Sequence, residues 1–475
     1  MKFIILAGGS GVRLWPVSRD LYPKSLLNLY DGQPLIQNIY KLILSLAEEQ
    51  DIVTVTNIRL LNDTKSRLYE LCTSPQIISE PMTKNTASAV GAALYYLQDK
   101  KDEIVTVLPV DFSVKSIKNF KEALEDAEYA AKKGYITVLG VKPAYPEAGF
   151  GYIELEPKSK TSKNSKTEKE VKTVTKVKRF VEKPDITEAG KFVKSKNFYW
   201  NTGIYVAKLS VLLKEIQKYA PETIYGFSKE MFGENNKISY EYYEKLPETS
   251  IDYAVTEKTD KLAFVELKAK WQDYGSWQEI YNNSEKNDEG NVLEGNVITD
   301  NVKNSFIYSS KELVASASLN DTIVVDTEDA LLVCDKNRAS DINKLVREIK
   351  KQYDETTKIR QTVIRPWGVY TCLNRGKGWL TKIITVCPEH KLSLQAHNYR
   401  SEHWIILEGT ATVVLEDEVI TLQKGTSINI PVKAKHSLQN LSQEPLKILE
   451  IQKGDYIGED DIIRYEDIYG RVVQS

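Results

Sequence analysis

The sequence predicts an α/β protein with an appended all-β unit: a mostly parallel sheet with helices on both faces, a short β-rich connector, and a C-terminal β barrel or sandwich. Short β-branched runs alternate with helical stretches from Met1 to about Glu279, the pattern of crossover units. Residues 289–340 switch to Gly and Asn turns between short Val/Ile runs, and the C-terminal region is dense in short strands and turn signals. The expected division is 1–284, 285–355 and 356–475, and 475 residues suffice for several cored domains.

In chain order, "KFIIL", "DIVTVTN", "EIVTVLPVD" and "YITVLGV" read as strands, and "PLIQNIYKLILSLAEEQ" and "TASAVGAALYYLQDK" as helices between them. Sites in such sheets lie at the carboxyl ends of the strands. Residues 156–178 are mostly lysine, serine and threonine with little to bury, which predicts a mobile solvated hairpin or loop, a basic lid over phosphates being the alternative. "EGNVLEGNVITDNVKNSFIYSS" has the rhythm of stacked β coils. A helix over 339–361 leads to "RPWGVY" and the strand-rich "ATVVLEDEVITLQKGTSINIPVKAKH".

Composition excludes several classes. With 41% hydrophobic and 27% charged residues and a formal charge of −2, the chain is globular and is no general binder of nucleic acid or anionic membranes. The opening apolar run is too short to span a bilayer and leads into glycines, so a cytoplasmic location is expected. Cys72, Cys334, Cys372 and Cys387 show no CxxC spacing and are expected to be reduced, mostly buried thiols.

The stretch "FIILAGGSGVRLWPVSRDLYPKSLL" carries the strongest chemical signal. A strand running into Gly8, Gly9, Ser10 and Gly11 can turn sharply and expose successive N–H groups to an anion. Arg13 adds a fork of donors and Lys24 a compact charge, a set suited to a nucleoside triphosphate. The spacing is neither GxxxxGK[ST] nor GxGxxG, so a P-loop kinase and a nicotinamide-dependent dehydrogenase fit poorly. A plain strand-to-helix turn remains the bland reading.

"LAGGSGVRLWPVSRDLYPKSLL" resembles the signature of sugar-1-phosphate nucleotidyltransferases, and its "RLWPVSR…PK" form resembles the mannose-1-phosphate guanylyltransferases. "EPMTKNTASA", "LPVD", "GFGYIE", "FVEKPD", "WNTGIYV", "SIDYAVTEK" and "WQDYGSW" follow in family order. The resemblance implies a Rossmann-like, GT-A-like domain that joins GTP to mannose 1-phosphate with release of pyrophosphate. It implies phosphate contacts from Arg13 and Lys24, and Mg2+ held by Asp111 and Asp273. Guanine would meet the main chain near Ala7 and Gly8, with Asn85 and the main chain near Pro109. Mannose 1-phosphate would meet Gly151, Glu182, Lys183, Asn201 and Gly203. Lys84, Ser88 and Phe112 stand where the family usually has Arg, Pro and His, which leaves a different base or sugar open. A non-catalytic sugar-binding protein on the same scaffold is the other alternative.

All four histidines, His390, His397, His403 and His436, lie in the last region. "LSLQAHNYRSEHWIILEG" and "KGTSINIPVKAKHSLQN" resemble the two cupin motifs, and the flanks "RPWGVY" and "YIGEDDIIRYEDIYGR" resemble the type II phosphomannose isomerase domain fused to such guanylyltransferases. By that resemblance Gln395, His397, Glu402 and His436 hold Zn2+ or another divalent ion, in a site interconverting mannose 6-phosphate and fructose 6-phosphate. His403 is expected on the opposite strand face, and His390 has no role. Asn398, Tyr399, Lys433 and Ser437 depart from the motifs, and an arginine missing at 437 is a possible loss of phosphate grip. A cupin retained only for dimerisation or sugar sensing is the alternative. A homo-oligomer, a dimer, is expected.

Overall fold

In the computed structural model, residues 1–29, 31–100, 102–156, 174–358, 360–458 and 461–466 are described. They divide into two compact units, Met1–Lys358 and Ile359–Ser475.

The first unit is built on a nine-stranded sheet. Its strands are β1 (Lys2–Leu6), β2 (Ile52–Asn57), β3 (Gln76–Glu80), β4 (Ile104–Pro109), β6 (Ile136–Val141), β7 (Tyr152–Leu155), β8 (Thr175–Val181), β9 (Phe198–Lys208) and β10 (Leu262–Glu266). A separate antiparallel pair is formed by β5 (Phe112–Val114) and β11 (Trp271–Asp273). The sheet order is β3-β2-β1-β4-β9-β6-β10-β8-β7. Strands β1 to β4, β6 and β10 run parallel, and β9 runs against its neighbours β4 and β6. The β-branched runs are buried on both faces: Ile4, Val53 and Val107 pack into one helix-covered core, Phe3, Ile5 and Ile52 into the other. The carboxyl ends of β1 and β4 therefore open at one edge, where Gly8 and Asp111 follow them.

The connector forms β12 (Val292–Glu294), β13 (Val297–Asp300), β14 (Phe306–Ser309), β15 (Val314–Ala317), β16 (Thr322–Asp326) and β17 (Leu331–Asp335). Parallel pairs β12–β14, β14–β16 and β13–β15 make the stacked coils that the Gly/Asn rhythm predicts. The expected single helix over 339–361 is instead Ile342–Gln352 followed by Asp354–Lys358, with Tyr353 at φ −136° breaking the run. The lysine-rich insertion lies mostly outside the described residues; its end, Thr175–Lys178, opens β8, which pairs antiparallel with β7 as the hairpin form of the expectation has it.

The second unit has strands β18 (Thr362–Arg365), β19 (Gly368–Gly376), β20 (Trp379–Val386), β21 (Leu394–His397), β22 (Arg400–Glu408), β23 (Thr410–Leu415), β24 (Glu418–Gln423), β25 (Ser427–Ile430), β26 (His436–Gln439), β27 (Leu446–Gly454) and β28 (Ile462–Glu466). They form sheets β18-β19-β20-β27-β22-β25 and β24-β23-β26-β21-β28. Trp404, Ile406, Val413, Leu438 and Ile448 fill the core between them, from alternating positions as the period-two pattern requires.

The cysteines correct one expectation. All four are free, but Cys72, Cys334 and Cys372 are half-buried and Cys387 is exposed. Cys72, after a helix end, Cys334, on the terminal strand of the coil, and Cys372, at a bulge in β19, pack only on the margins of their cores, and Cys387 lies just past β20. Among the described residues no helix is long and apolar enough to cross a membrane.

Candidate active site and candidate metal centre

The glycine stretch turns because Gly11 adopts φ +69°, and a Cβ there would stand 2.7 Å from the Lys24 Cβ. Only glycine satisfies both conditions. Lys24 consequently runs back along the loop, close to Gly9, and its ammonium is bonded to the Asp111 carboxylate. Asp111 follows β4 and Asp273 ends β11, which lies antiparallel to β5. The Tyr274 N–H donates to the Asp111 carbonyl at 2.8 Å, locking the two segments together. Gly275 closes the corner: a Cβ there would lie 2.8 Å from Arg13 Nη2, 2.8 Å from Asp273 Oδ1 and 3.4 Å from Asp111 Oδ2. Two acids and a guanidinium thus converge on one side-chain-free position.

The electrostatics differ between the two acids. Burial pulls the Asp111 carboxyl upward, but Lys24 and Arg13 outweigh it and hold it below the usual carboxylate value. Asp273 is pushed up to about 7, first by burial and then by the Asp111 charge. Glu279, buried on the adjacent helix Trp277–Asn283, is pushed up to about 8 by burial and by Asp273, and the Tyr145 hydroxyl donates to it at 2.6 Å.

One pocket is lined by Gly8, Gly9, Ser10, Gly11, Arg13, Lys24, Asn85, Pro109 and Asp111. Ala7 is not in its wall; its N–H donates to the Val55 carbonyl in the sheet. The pocket also holds Glu80 and Asn343, which the sequence reading did not single out. Glu80 ends β3 and is buried; its carboxyl is pushed up to about 8 by burial, and it accepts the Tyr243 hydroxyl at 2.6 Å. Its second oxygen faces Gly8, 3.0 Å from where a Cβ would be. A polar residue closing the apolar run "QIISE" was the available signal. The departures Lys84 and Ser88 point elsewhere: Lys84 donates to the Glu244 carbonyl and Ser88 to the Thr223 carbonyl. Phe112 turns its ring into the core against Phe120 while its neighbour Asp111 faces the pocket.

The predicted sugar residues form a second cluster. Lys183 pairs with Glu182 at 2.9 Å, and the Glu182 carboxyl is pushed up to about 7 by burial and by Asp252. Gly151 lets Glu182 approach to 2.6 Å of its missing Cβ, and its carbonyl accepts the Asn201 N–H at 2.7 Å. The Asn201 amide donates to the Tyr205 hydroxyl and to Asp252, and Tyr205 donates to Asp252. Asp252 and Tyr205 complete the cluster but were not singled out, although both lie in quoted segments. Gly203, at φ +73°, stands over the Pro109 ring, which joins this cluster to the glycine-loop pocket.

The loop is mounted on the connector. Leu14, Trp15 and Val17 share a core with Val292, Phe306, Ile323, Val325, Ile342 and Val346. Arg19 pairs with Asp329 at 2.7 Å and Lys350 with Asp20 at 2.8 Å. The Asp20 and Leu21 N–H groups donate to the carbonyls of Thr357 and Lys358.

In the β unit, His397, Glu402 and His436 are buried with their ligating atoms within 4.8 Å of one another. His436 Nδ1 bonds the Ala434 carbonyl at 2.9 Å, which turns Nε2 toward Glu402. His397 Nε2 lies 3.0 Å from one Glu402 oxygen and His436 Nε2 3.7 Å from the other, while His397 Nδ1 has no hydrogen-bond partner among the described residues. Two buried imidazoles converging on one carboxylate fit a divalent cation. The Glu402 carboxyl, raised by burial, is held well below its usual range by His397, His436 and Arg400. Gln395 sits directly across from His436 in the sheet. His403 instead meets Asn429, and His390 bonds the Pro388 carbonyl, both away from the cluster. The Asn398 and Tyr399 N–H groups are bound by Asp461. Lys433 takes φ +67°, a glycine-like turn retained without glycine.

The fold and the glycine-loop pocket define a nucleotidyltransferase joined to a cupin-like unit. A nucleotidyl transferase family model matches residues 2–290, a mannose-phosphate isomerase/GMP-like β-helix model residues 295–349, and a mannose-6-phosphate isomerase C-terminal model residues 352–467. Xanthan biosynthesis protein XanB of Xanthomonas campestris is 37% identical over 98% of both chains. The mannose-1-phosphate guanylyltransferase RfbM of Salmonella typhimurium is 36% identical over 98% of this chain and 97% of its own. A crystal structure described as a mannose-1-phosphate geranyltransferase from Thermus thermophilus superposes with TM-score 0.62 at 25% identity, covering 74% of this chain and 99% of that one. The chain belongs to the mannose-1-phosphate guanylyltransferases that carry a mannose-6-phosphate isomerase C-terminal domain. Both families generally use divalent metal ions.

Proposed function

We propose that the α/β domain transfers the guanylyl group of GTP to mannose 1-phosphate. A phosphate oxygen of mannose 1-phosphate bonds to the α-phosphorus, the bond from that phosphorus to the β-phosphate oxygen breaks, and pyrophosphate leaves, yielding GDP-mannose. The observation that carries this reading is the convergence of Arg13, Lys24, Asp111 and Asp273 beside the glycine loop. The bare amides of Gly8 to Gly11 and the Arg13 fork take the phosphate chain, and Lys24 neutralises oxygen at the reacting phosphorus. Asn85, Glu80 and the main chain near Gly8 and Pro109 meet the base. Gly151, Glu182, Lys183, Asn201 and Gly203 orient the sugar phosphate for in-line attack. Asp111 and Asp273 would hold Mg2+, which supplies charge neutralisation to the phosphates when bound; burial first and the Asp111 charge second push Asp273 to about 7, and a cation relieves both. The division at 284/285 and 355/356 belongs to the same reading.

Assay of each nucleoside triphosphate against a panel of sugar 1-phosphates tests it. GTP with mannose 1-phosphate should be strongly preferred, and Asp111→Ala should abolish turnover; another preferred pair, or undiminished turnover, overturns the assignment.

A second reading is favoured by the buried His397–Glu402–His436 cluster: the cupin interconverts mannose 6-phosphate and fructose 6-phosphate. Those residues, with Gln395, would hold Zn2+ or another first-row divalent ion, which polarises the substrate carbonyl when bound. Isomerisation assayed with zinc, cobalt and manganese decides it, and inactivity with all of them leaves a binding module.

A further inference from the structure

The turn over residues 182–184, which carries Lys183, is clasped by a side chain from a distant segment. Val181, paired with Tyr152, is the last residue of β8, and beyond it the sheet no longer fixes the backbone. Lys183 then takes φ +48°, the left-handed region that a residue other than glycine enters only under constraint, and Pro184 follows it. On the far side, the proline ring and the Asp185 cap, whose carboxylate accepts the Glu188 N–H at 2.8 Å, fix the start of the helix Ile186–Lys194. On the near side, the Glu182 N–H donates to Glu257 Oε1 at 2.8 Å. Lys183 is therefore the swivel between two held peptides. Its side chain is half-exposed and its ammonium meets Glu182 at 2.9 Å, so the backbone, not packing, sets where that charge points.

Glu257 reaches that turn because of the helix it ends. Asp252–Thr256 wind as a π-helix, and the Glu257 N–H donates to the Asp252 carbonyl, five residues back, at 3.0 Å. In an α-helix residues five apart point about 140° away from each other. The wider π turn, whose bond joins such residues, brings them to one side. Asp252 accordingly binds the Asn201 amide and the Tyr205 hydroxyl of β9 while Glu257 binds the Glu182 N–H, so one turn of helix holds two walls of the predicted sugar cluster. Its entry is anchored as well: the Ile251 N–H donates to Thr86 Oγ1 at 2.9 Å and the Ala87 N–H to the Thr249 carbonyl at 3.2 Å. We propose that Glu257 is a positioning residue for the transferase: by clasping the Glu182 N–H it keeps Lys183 in its left-handed conformation and so sets the ammonium that receives the phosphate of mannose 1-phosphate. This deepens the transferase reading and rests on Lys183 as the contact to that phosphate.

The test is steady-state kinetics on the full-length chain at saturating magnesium, with GTP and mannose 1-phosphate varied in turn. Glu257→Ala should raise KM for mannose 1-phosphate about tenfold, the size of one charge-assisted hydrogen bond, with KM for GTP and the melting temperature unchanged. Glu257→Gln keeps an oxygen that accepts the same N–H and should recover most of the loss. Lys183→Ala should raise the same KM at least about tenfold, and adding Glu257→Ala to it should cost nothing further, since the clasp acts through Lys183. Unaltered KM in Glu257→Ala beside a raised one in Lys183→Ala overturns the clasp and leaves the sugar-phosphate contact standing. Unaltered KM in Lys183→Ala removes that contact and the clasp with it. Additive losses in the double variant, a loss in Glu257→Gln equal to that in Glu257→Ala, or a parallel rise in KM for GTP each overturns the positioning role.

Discussion

Asp111 and Asp273 are both buried and drawn to the same corner, yet Lys24 is seated on Asp111 while Asp273 is pushed up to about 7. On the proposed magnesium role of this pair, a proton and the metal ion compete for Asp273. Below about pH 7 the proton is bound, and above it the carboxylate is free, so apparent Mg2+ affinity should rise between pH 6 and 8. Initial rates at limiting magnesium should climb across that window and flatten when magnesium is saturating. A pH-independent magnesium requirement would contradict the pairing.

Burial of several acids sets the opposite trend in stability. Glu80 and Glu279 are pushed up to about 8 and Glu182 to about 7. A carboxyl raised on folding binds more protons in the native than in the unfolded state between its two pKa values, so its stabilisation is complete below about pH 4.5 and is lost as pH rises toward 8. Thermal melts without nucleotide should give a higher Tm at pH 6 than at pH 8.5, and Glu80→Gln should reduce the difference.

Arg19 is fully buried and its partner Asp329 three-quarters so. Asp329→Ala leaves the guanidinium without that carboxylate, and because the pair is partly wetted the expected loss is about 2 kcal/mol, below the range for sealed pairs. Since Arg19 sits in the segment that follows the glycine loop, KM for GTP should rise more than kcat falls. Asn343→Ala, in the pocket wall itself, should raise KM for GTP with no change in melting temperature.

Lys433 occupies a left-handed turn and its N–H donates to the His397 carbonyl at 2.7 Å. A side chain in that conformation costs roughly 1 kcal/mol relative to glycine. Lys433→Gly should raise the melting temperature of the cupin transition by a few degrees, as followed by calorimetry, and an unchanged transition would mean the turn carries no strain.

The glycine loop, the strand alternation and the paired Asp111 and Asp273 were legible because each is announced by residues close in sequence or by an ordered series of motifs. Glu80, Tyr205 and Asp252 lay inside those motifs, but their chemistry arises from burial and from contacts such as Tyr243 to Glu80, which span the fold and leave no local mark. Lys84 and Ser88 looked like threats to base choice until their side chains were seen to bond Glu244 and Thr223 instead of facing the pocket. In the C-terminal domain, the resemblance to the cupin motifs brought out His397, Glu402 and His436, whereas the capture of the Asn398 and Tyr399 N–H groups by Asp461, more than sixty residues away, left no local mark.

The hydrogen bonds from Asp20 and Leu21 to the carbonyls of Thr357 and Lys358 set a lower limit on any autonomous transferase fragment. A truncation ending where the nucleotidyltransferase motifs stop would strip the backing from the arm that carries Arg13 and Lys24. A fragment intended to work alone has to retain the coil and both short helices, through Lys358.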